Sequence, residues 1–222
     1  MNLYAYVGND PLNAIDPTGL FCMASRLRSC QDQNDPAGRV VRATEEFLKT
    51  GKSTRGLNKG ERALVKDSAA AIEESVELGQ NGPAGANEFY ENVAPGGKWD
   101  VKHRSHDDRY AGASQAARER QGNWLFGAAS AAWAAGAIGD SGGEMGLQVL
   151  LRGAGAVQRQ VGTSRPEWGK PTDLFGPFGD DPRDQYYIKR GFKFFERNLS
   201  GCVQRFTRSF TISSCNSRWA TG

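Results

Sequence analysis

The chain has 222 residues, with 28 Lys and Arg against 25 Asp and Glu and a formal net charge of +3. That length suits one ordinary domain, or one domain with a tail. A hydrophobic share of 38% with 24% charged residues excludes wholesale disorder. No run of about 18 apolar residues occurs, which excludes a membrane-spanning helix, and no basic segment followed by an apolar one opens the chain as a secretory signal would. The 28 glycines are nearly twice the usual share and predict many tight turns, without the three-residue period of collagen.

Residues 1–20 have a composition of their own, with no basic side chain and only Asp10 and Asp16 as acids. Leu3, Tyr4, Tyr6 and Val7 predict a short strand with no partner nearby in the chain. Asn9-Asp10-Pro11 and Asp16-Pro17-Thr18-Gly19 are turn signals that end it. After a segment containing Cys22 and Cys30, Asp35-Pro36 predicts a helix start. Val40, Val41, Thr44, Phe47 and Leu48 form a helical stripe, and Gly51 is its stop.

Asn58 caps a second predicted helix from about Lys59 to Leu78, with Leu64, Val65, Ala69, Ile72 and Val76 on one face. Gly79 and Asn81-Gly82-Pro83 end it. Residues 88–121 then read as a long loop containing WDVKHRSHDDRY. Trp124 to Ala137 is a small-residue helix suited to close packing. Glu144 to Gln160 is a further helix, anchored by Met145, Val149, Leu150 and Val157. Gly153 and Gly155 each cost it about 1 kcal/mol relative to Ala, a cost that predicts close approach of another backbone or a ligand.

Gly179-Asp180-Asp181-Pro182-Arg183-Asp184 is a strong helix start. Ile188, Phe192, Phe195 and Leu199 continue it as an amphipathic helix. Cys202 to Cys215 reads as a hairpin or an extended wrap. The fold class expected is mainly α, with α+β as the alternative: a helical domain with long Gly-rich loops and at most a small sheet.

Chemistry concentrates in few places. The only histidines, His103 and His106, lie in Trp99-Asp100-Val101-Lys102-His103-Arg104-Ser105-His106-Asp107-Asp108-Arg109, the densest run of titratable groups. Imidazole exchanges protons near neutral pH, and Lys and Arg stabilise anionic charge, so cleavage of RNA through its 2′-hydroxyl needs no other groups. A solvated polar loop accounts for the same residues. Asp180, Asp181 and Asp184 supply carboxylates for acid–base work, although capping explains at least two of them. Asn123 reads as a cap of the Ala-rich helix or as a side chain pointing into a cleft. Glu144 with Glu167 is a weaker acid pair for glycoside cleavage.

No Cys-x-x-Cys pair is present, so a zinc site is a poor reading, and no metal or cofactor is expected. Cys22, Cys30, Cys202 and Cys215 lie near the two ends and suit disulfide staples of an oxidising compartment, with local or end-to-end pairing both open. Between Arg183 and Gly222 eight basic residues face two acids. This local excess suits a polyanion, an acidic partner, or simply solvent.

Two resemblances bear on these residues. Asn2-Leu-Tyr-Ala-Tyr-Val-Gly-Asn-Asp-Pro-Leu-Asn-Ala-Ile-Asp-Pro-Thr-Gly-Leu20 resembles the end of the core of Rhs (YD-repeat) proteins. There a DPxGL signature, here Asp16, Pro17, Gly19 and Leu20, marks where an encapsulating shell ends and a variable toxin begins. The resemblance implies cleavage after Leu20, an Rhs shell upstream, and division into residues 1–20 and a toxin domain at 21–222. Farther on, WDVK, GNWLFGAASAA, LLRGAGAVQ, GTSRPEWG and PFGDDPRDQYYIKRG resemble, in that order, the polymorphic bacterial toxin domain called type 44.

That second resemblance implies a secreted antibacterial toxin, delivered into the cytoplasm or periplasm of a target cell and paired with a cognate immunity protein. It implies ribonuclease activity, so RNA is the first-choice substrate. Lys102 and Arg152 then stabilise phosphate charge, and His103 or Asp100 is the base. Asp180 and Asp181 complete the catalytic set, and Trp99, Asn123, Gln158, Asp184 and Gln185 bind substrate. The second reading is a periplasmic peptidoglycan hydrolase using a carboxylate pair, such as Asp100 with Asp180 or Asp181. The third is a non-enzymatic binding or membrane-disrupting toxin, resting on the Ala-rich helix, with no stable membrane insertion.

Overall fold

The computed structural model describes residues 35–52, 54–174, 178–203, 211, 212 and 215. The expected strand, the Asp16–Leu20 junction, Cys22 and Cys30 lie outside the described residues. Among the described residues seven α-helices have both ends defined: α1 (Arg39–Thr50), α2 (Lys59–Gln80), α3 (Gly82–Val93), α4 (Gln115–Ile138), α5 (Gly143–Gln160), α6 (Pro182–Asn198) and α7 (Ser200–Val203). Short 3-10 turns occupy Pro36–Gly38, Arg104–His106 and Pro166–Trp168. Among the described residues there is no strand, so the domain is mainly α.

The caps form as the sequence dictates. Asn58 accepts from the Glu61 amide at 2.9 Å while the Glu61 carboxylate accepts from the Asn58 amide at 3.0 Å, a reciprocal capping box. Gly51 closes α1 at φ 66°, a left-handed conformation that costs glycine little. Asp181 caps α6, with Pro182 in its first turn.

The centre of the molecule is α4, packed between α2 and α6. It is enclosed on most of its circumference, with Trp124, Leu125, Ala128, Ala129, Ala131, Ala132 and Ala135 buried. It crosses both neighbours at reciprocal glycines. A Cβ on Gly191 of α6 would lie 1.9 Å from the Trp124 carbonyl oxygen, and one on Gly127 of α4 would lie 2.0 Å from that of Ile188. On the other side, Gly136 meets Val76 and Gly79 meets Trp133 at 2.2 Å each. The Ala-rich surface is therefore core. Among the described residues no helix is long and apolar enough to cross a membrane.

Three expectations are corrected. Gly82-Pro83 ends α2 but also begins α3, because Pro is well suited to a first helical turn. The Ala-rich helix starts at Gln115, not Trp124, with Ser114 as cap. Its first two turns are polar and buried together (Arg118, Arg120, Gln121 and Asn123), so the hydrophobic period that reveals a helix is missing there. In α5 the buried face carries Leu147, Leu151 and Gly155, while Met145, Val149 and Val157 are exposed. Of the two α5 glycines, Gly155 meets the Phe178 carbonyl oxygen at 1.9 Å from its would-be Cβ, as its position predicts, whereas Gly153 faces open space.

The basic excess of the C-terminal region is partly spent in ion pairs. Arg190 forms a two-point bridge with Glu45 at 2.7 Å, and Lys193 pairs with Glu196 at 3.0 Å and Glu144 at 3.4 Å. Ile212 is buried and donates its amide to Glu73 of α2 at 2.6 Å. Cys202 and Cys215 are neighbouring free thiols, and burial with the Cys202 hydrogen bond keeps the Cys215 thiol protonated.

Candidate functional site

The WDVK segment is held by one buried arginine. Arg118 of α4 is 5% exposed. Its Nε donates to the Val101 carbonyl at 2.7 Å, its Nη2 to the His103 carbonyl at 2.6 Å, and its Nη1 to the Asp107 carboxylate. Trp99 anchors the start of the segment in the core, edge-on to Phe89 at 5.8 Å. Asp100 shapes the turn, accepting from the Gly96 amide at 2.9 Å and the Lys102 amide at 3.3 Å. With these contacts fixed, Lys102 projects over Gly122 of α4, where a Cβ would lie 2.9 Å from Lys102 Cγ.

Replacing Arg118 with Met leaves two carbonyls and one carboxylate without their donor. We expect a loss of about 3 kcal/mol in urea unfolding and faster amide exchange from Asp100 to Asp107. An unchanged midpoint with unchanged exchange would show that the loop holds itself.

The DDPRD segment arrives from the other side. Phe178 has φ 59° and Gly179 φ 90°, two successive left-handed residues just before Asp180. Phenylalanine pays for that conformation unless its surroundings impose it. Here Phe178 is buried, the Arg152 guanidinium stacks on its ring at 4.4 Å, α5 presses on its carbonyl through Gly155, and the Gly179 amide donates to the Trp168 carbonyl at 2.6 Å. The result is a carboxyl group delivered into the interior, since Asp180 is 1% exposed. One oxygen accepts from the Asp181 amide at 2.9 Å, and the other has no partner among the described residues.

Lys102, Asn123, Asp180 and Asp184 come together at this junction of the loop, α4 and the start of α6. Lys102 Nζ donates to Asn123 Oδ1 at 3.1 Å, and the Asn123 Nδ2 group is buried with no acceptor among the described residues. Burial pushes the Asp180 carboxyl up to about 7, and the charge of Asp184 adds to the shift. Half-buried Asp184 is also raised by burial, with the Lys102 ammonium pulling it back. Burial thus favours the protonated form of Asp180, while the Lys102 ammonium counters that effect at Asp184, an asymmetry between two carboxyl groups of the kind acid–base hydrolysis uses. Asp181 is occupied by its cap, accepting from the Arg183 amide at 2.8 Å.

Lys102 also borders a surface depression of about 510 Å³ lined by His103, Arg104, Asp107 and Gln115. A second depression of about 560 Å³ lies at the far end of α4, where Glu196 is paired with Lys193.

Other residues singled out by sequence have structural contacts. Arg152 donates to the Pro171 carbonyl while stacking on Phe178. Gln158, in the last turn of α5, accepts from the Thr163 hydroxyl at 2.8 Å. Gln185 is buried in the first turn of α6. His103 caps the Arg104–His106 turn. Glu144 and Glu167 are exposed and paired with Lys193 and Arg165. The sequence reading missed Arg118, which organises the segment, and did not foresee that Asn123 lies inside a helix facing Lys102. Among the described residues no group of three or more His, Cys, Asp or Glu is arranged to hold a metal. Comparison with family models, curated proteins and solved structures finds no match to this chain.

Proposed function

We propose that residues 21–222 are the toxin of an Rhs effector and that it hydrolyses the glycan strands of bacterial peptidoglycan. One observation carries the enzymatic part: a buried Asp180 whose carboxyl is pushed up to about 7, in one segment with Asp184, with Lys102 and Asn123 brought in from two others. Asp180 gives its proton to the glycosidic oxygen as the C–O bond breaks. Asp184 takes a proton from the water that adds to the anomeric carbon, and exchange with solvent restores both groups. Lys102, whose charge acts on both carboxyl groups, lines the depression where the substrate would lie.

RNA is the weaker substrate on electrostatic grounds. Asp181, Asp184 and Glu119 gather at the site, while Arg120 is committed to Asp35 at 3.3 Å and Arg152 to Pro171 and Phe178. A polymer with a phosphate at every residue meets those carboxylates repeatedly. A largely neutral glycan does not. The shell upstream of Leu20 and a cognate immunity protein belong to the same proposal, as does delivery to the periplasm.

The test is direct. Purified chain 21–222 incubated with isolated sacculi is expected to release new reducing ends and to leave total RNA intact. In cells, toxicity is expected only when the chain carries a periplasmic export signal. Killing confined to cytoplasmic expression, with degraded RNA, would return the assignment to ribonuclease.

A further inference from the structure

We propose that Arg104 and His103 form an anion subsite in the depression bordering Lys102, and that it takes the free carboxylates of the peptide stems on the glycan. This assignment rests on the glycan-hydrolase reading above and names a part of the substrate that the carboxylate pair itself does not touch.

The groups lining the depression are not equally available. Asp107 is tied to buried Arg118, so its charge is compensated from beneath. Gln115 spends its amide on Glu119 at 3.3 Å, and Lys102 spends its ammonium on Asn123 at 3.1 Å. Arg104 is exposed, and its guanidinium makes no hydrogen bond or ion pair among the described residues. His103 Nδ1 accepts from the Ser105 amide at 3.3 Å, so the ring proton of the neutral tautomer sits on Nε2 as a donor. The available groups are thus donors, one of them a planar fork matched to a carboxylate.

The volume of about 510 Å³ holds more than a single carboxylate, which suits a short peptide substituent. Position favours that ligand too. Lys102 borders both the depression and the Asp180–Asp184 pair, so a glycan bond at the pair leaves its substituent over Arg104. A continuous polyanion in the same place runs onto Asp184 and Glu119, whereas isolated carboxylates on a neutral chain reach the donors without crossing those acids.

The test uses the full chain carrying Asp184→Asn, so that bound substrate is not consumed. The probes are a disaccharide–tripeptide muropeptide with free carboxylates, the same molecule with its carboxylates amidated, and a short single-stranded RNA, each titrated by calorimetry. Cleavage of sacculi by the unsubstituted chain is measured alongside. The free-carboxylate muropeptide is expected to bind about tenfold more tightly than the amidated one, a difference of about 1.4 kcal/mol. Arg104→Ala should erase that difference, and Arg104→Lys should keep part of it, since a cation remains without the fork.

Equal affinity for the two muropeptides, or indifference to Arg104→Ala, overturns the subsite. If sacculi are still cleaved, only the subsite falls. If sacculi are not cleaved and neither muropeptide binds, both readings fall. RNA binding that depends on Arg104 reassigns the depression to phosphate and likewise overturns the proposal.

Discussion

Asp180→Asn should lower the rate of sacculus hydrolysis about 10²- to 10⁴-fold, the usual contribution of a positioned general acid, while making the folded protein more resistant to urea at alkaline pH. The two effects have one cause. Burial, reinforced by the charge of Asp184, raises the Asp180 carboxyl to about 7 from an ordinary value of 3.8. A folded-state value above the unfolded one means the native protein binds the proton more tightly. Its contribution to stability is complete below about pH 4 and is lost as pH rises through about 7. Three pH units correspond to about 4 kcal/mol, an upper figure for a group that partners can relax around. Asn is neutral throughout and loses nothing over this range. Urea midpoints of the two proteins should therefore diverge between pH 4 and pH 8, with the unsubstituted chain falling. Its hydrolytic rate should fall above pH 7 as Asp180 gives up its proton. A rate within threefold of the original in Asp180→Asn, or parallel midpoints across the range, would remove Asp180 from the mechanism.

Gly191→Val should be the most damaging single change in the helical scaffold. A Cβ at that position lies 1.9 Å from the Trp124 carbonyl oxygen, a backbone atom that no rotamer change can move. Helices α4 and α6 must separate along the contact that also seats Trp124, Phe192 and Phe195, all buried. Overpacking of this kind costs 1–3 kcal/mol when side chains can yield, and about 3 kcal/mol or more is expected here because the clash is with backbone. Gly153→Ala is the matched control. It sits in α5 with nothing within 4 Å of its would-be Cβ and should gain up to about 1 kcal/mol from helix propensity. Thermal or urea unfolding of the pair checks both signs, and a stable Gly191→Val protein would mean that α4 and α6 are not so close.

The two experiments probe one construction. The α4–α6 crossing sets where the first turn of α6 stands, and that turn carries Asp181 and Asp184. The Phe178–Gly179 turn leading into it is braced by α5 through Gly155 and Arg152. Scaffold and site are joined there, so Gly191→Val should impair hydrolysis as well as stability, whereas Asp180→Asn should impair hydrolysis alone.

Local features of the chain were readable without coordinates. The cap at Asn58, the stop at Gly51, the Asp181-Pro182 start and the apolar faces of α1, α2 and α6 are written in contiguous residues, because capping and helical periodicity act over one or two turns. The segments carrying Trp99–Lys102, Asn123 and Asp180–Asp184 could likewise be singled out as polar clusters. Tertiary structure decided the rest. The first turns of α4 hide their helical character, because Arg118, Gln121 and Asn123 are buried through hydrogen bonds to distant segments, and such partners leave no apolar period. The phase of α5 was misread because Gly155, with no side chain, marks its buried face. Whether Asp180 is a cap or an acid depends on burial and on the charges of Asp184 and Lys102. Those are set by how far the chain returns on itself, and a linear pattern does not encode that distance.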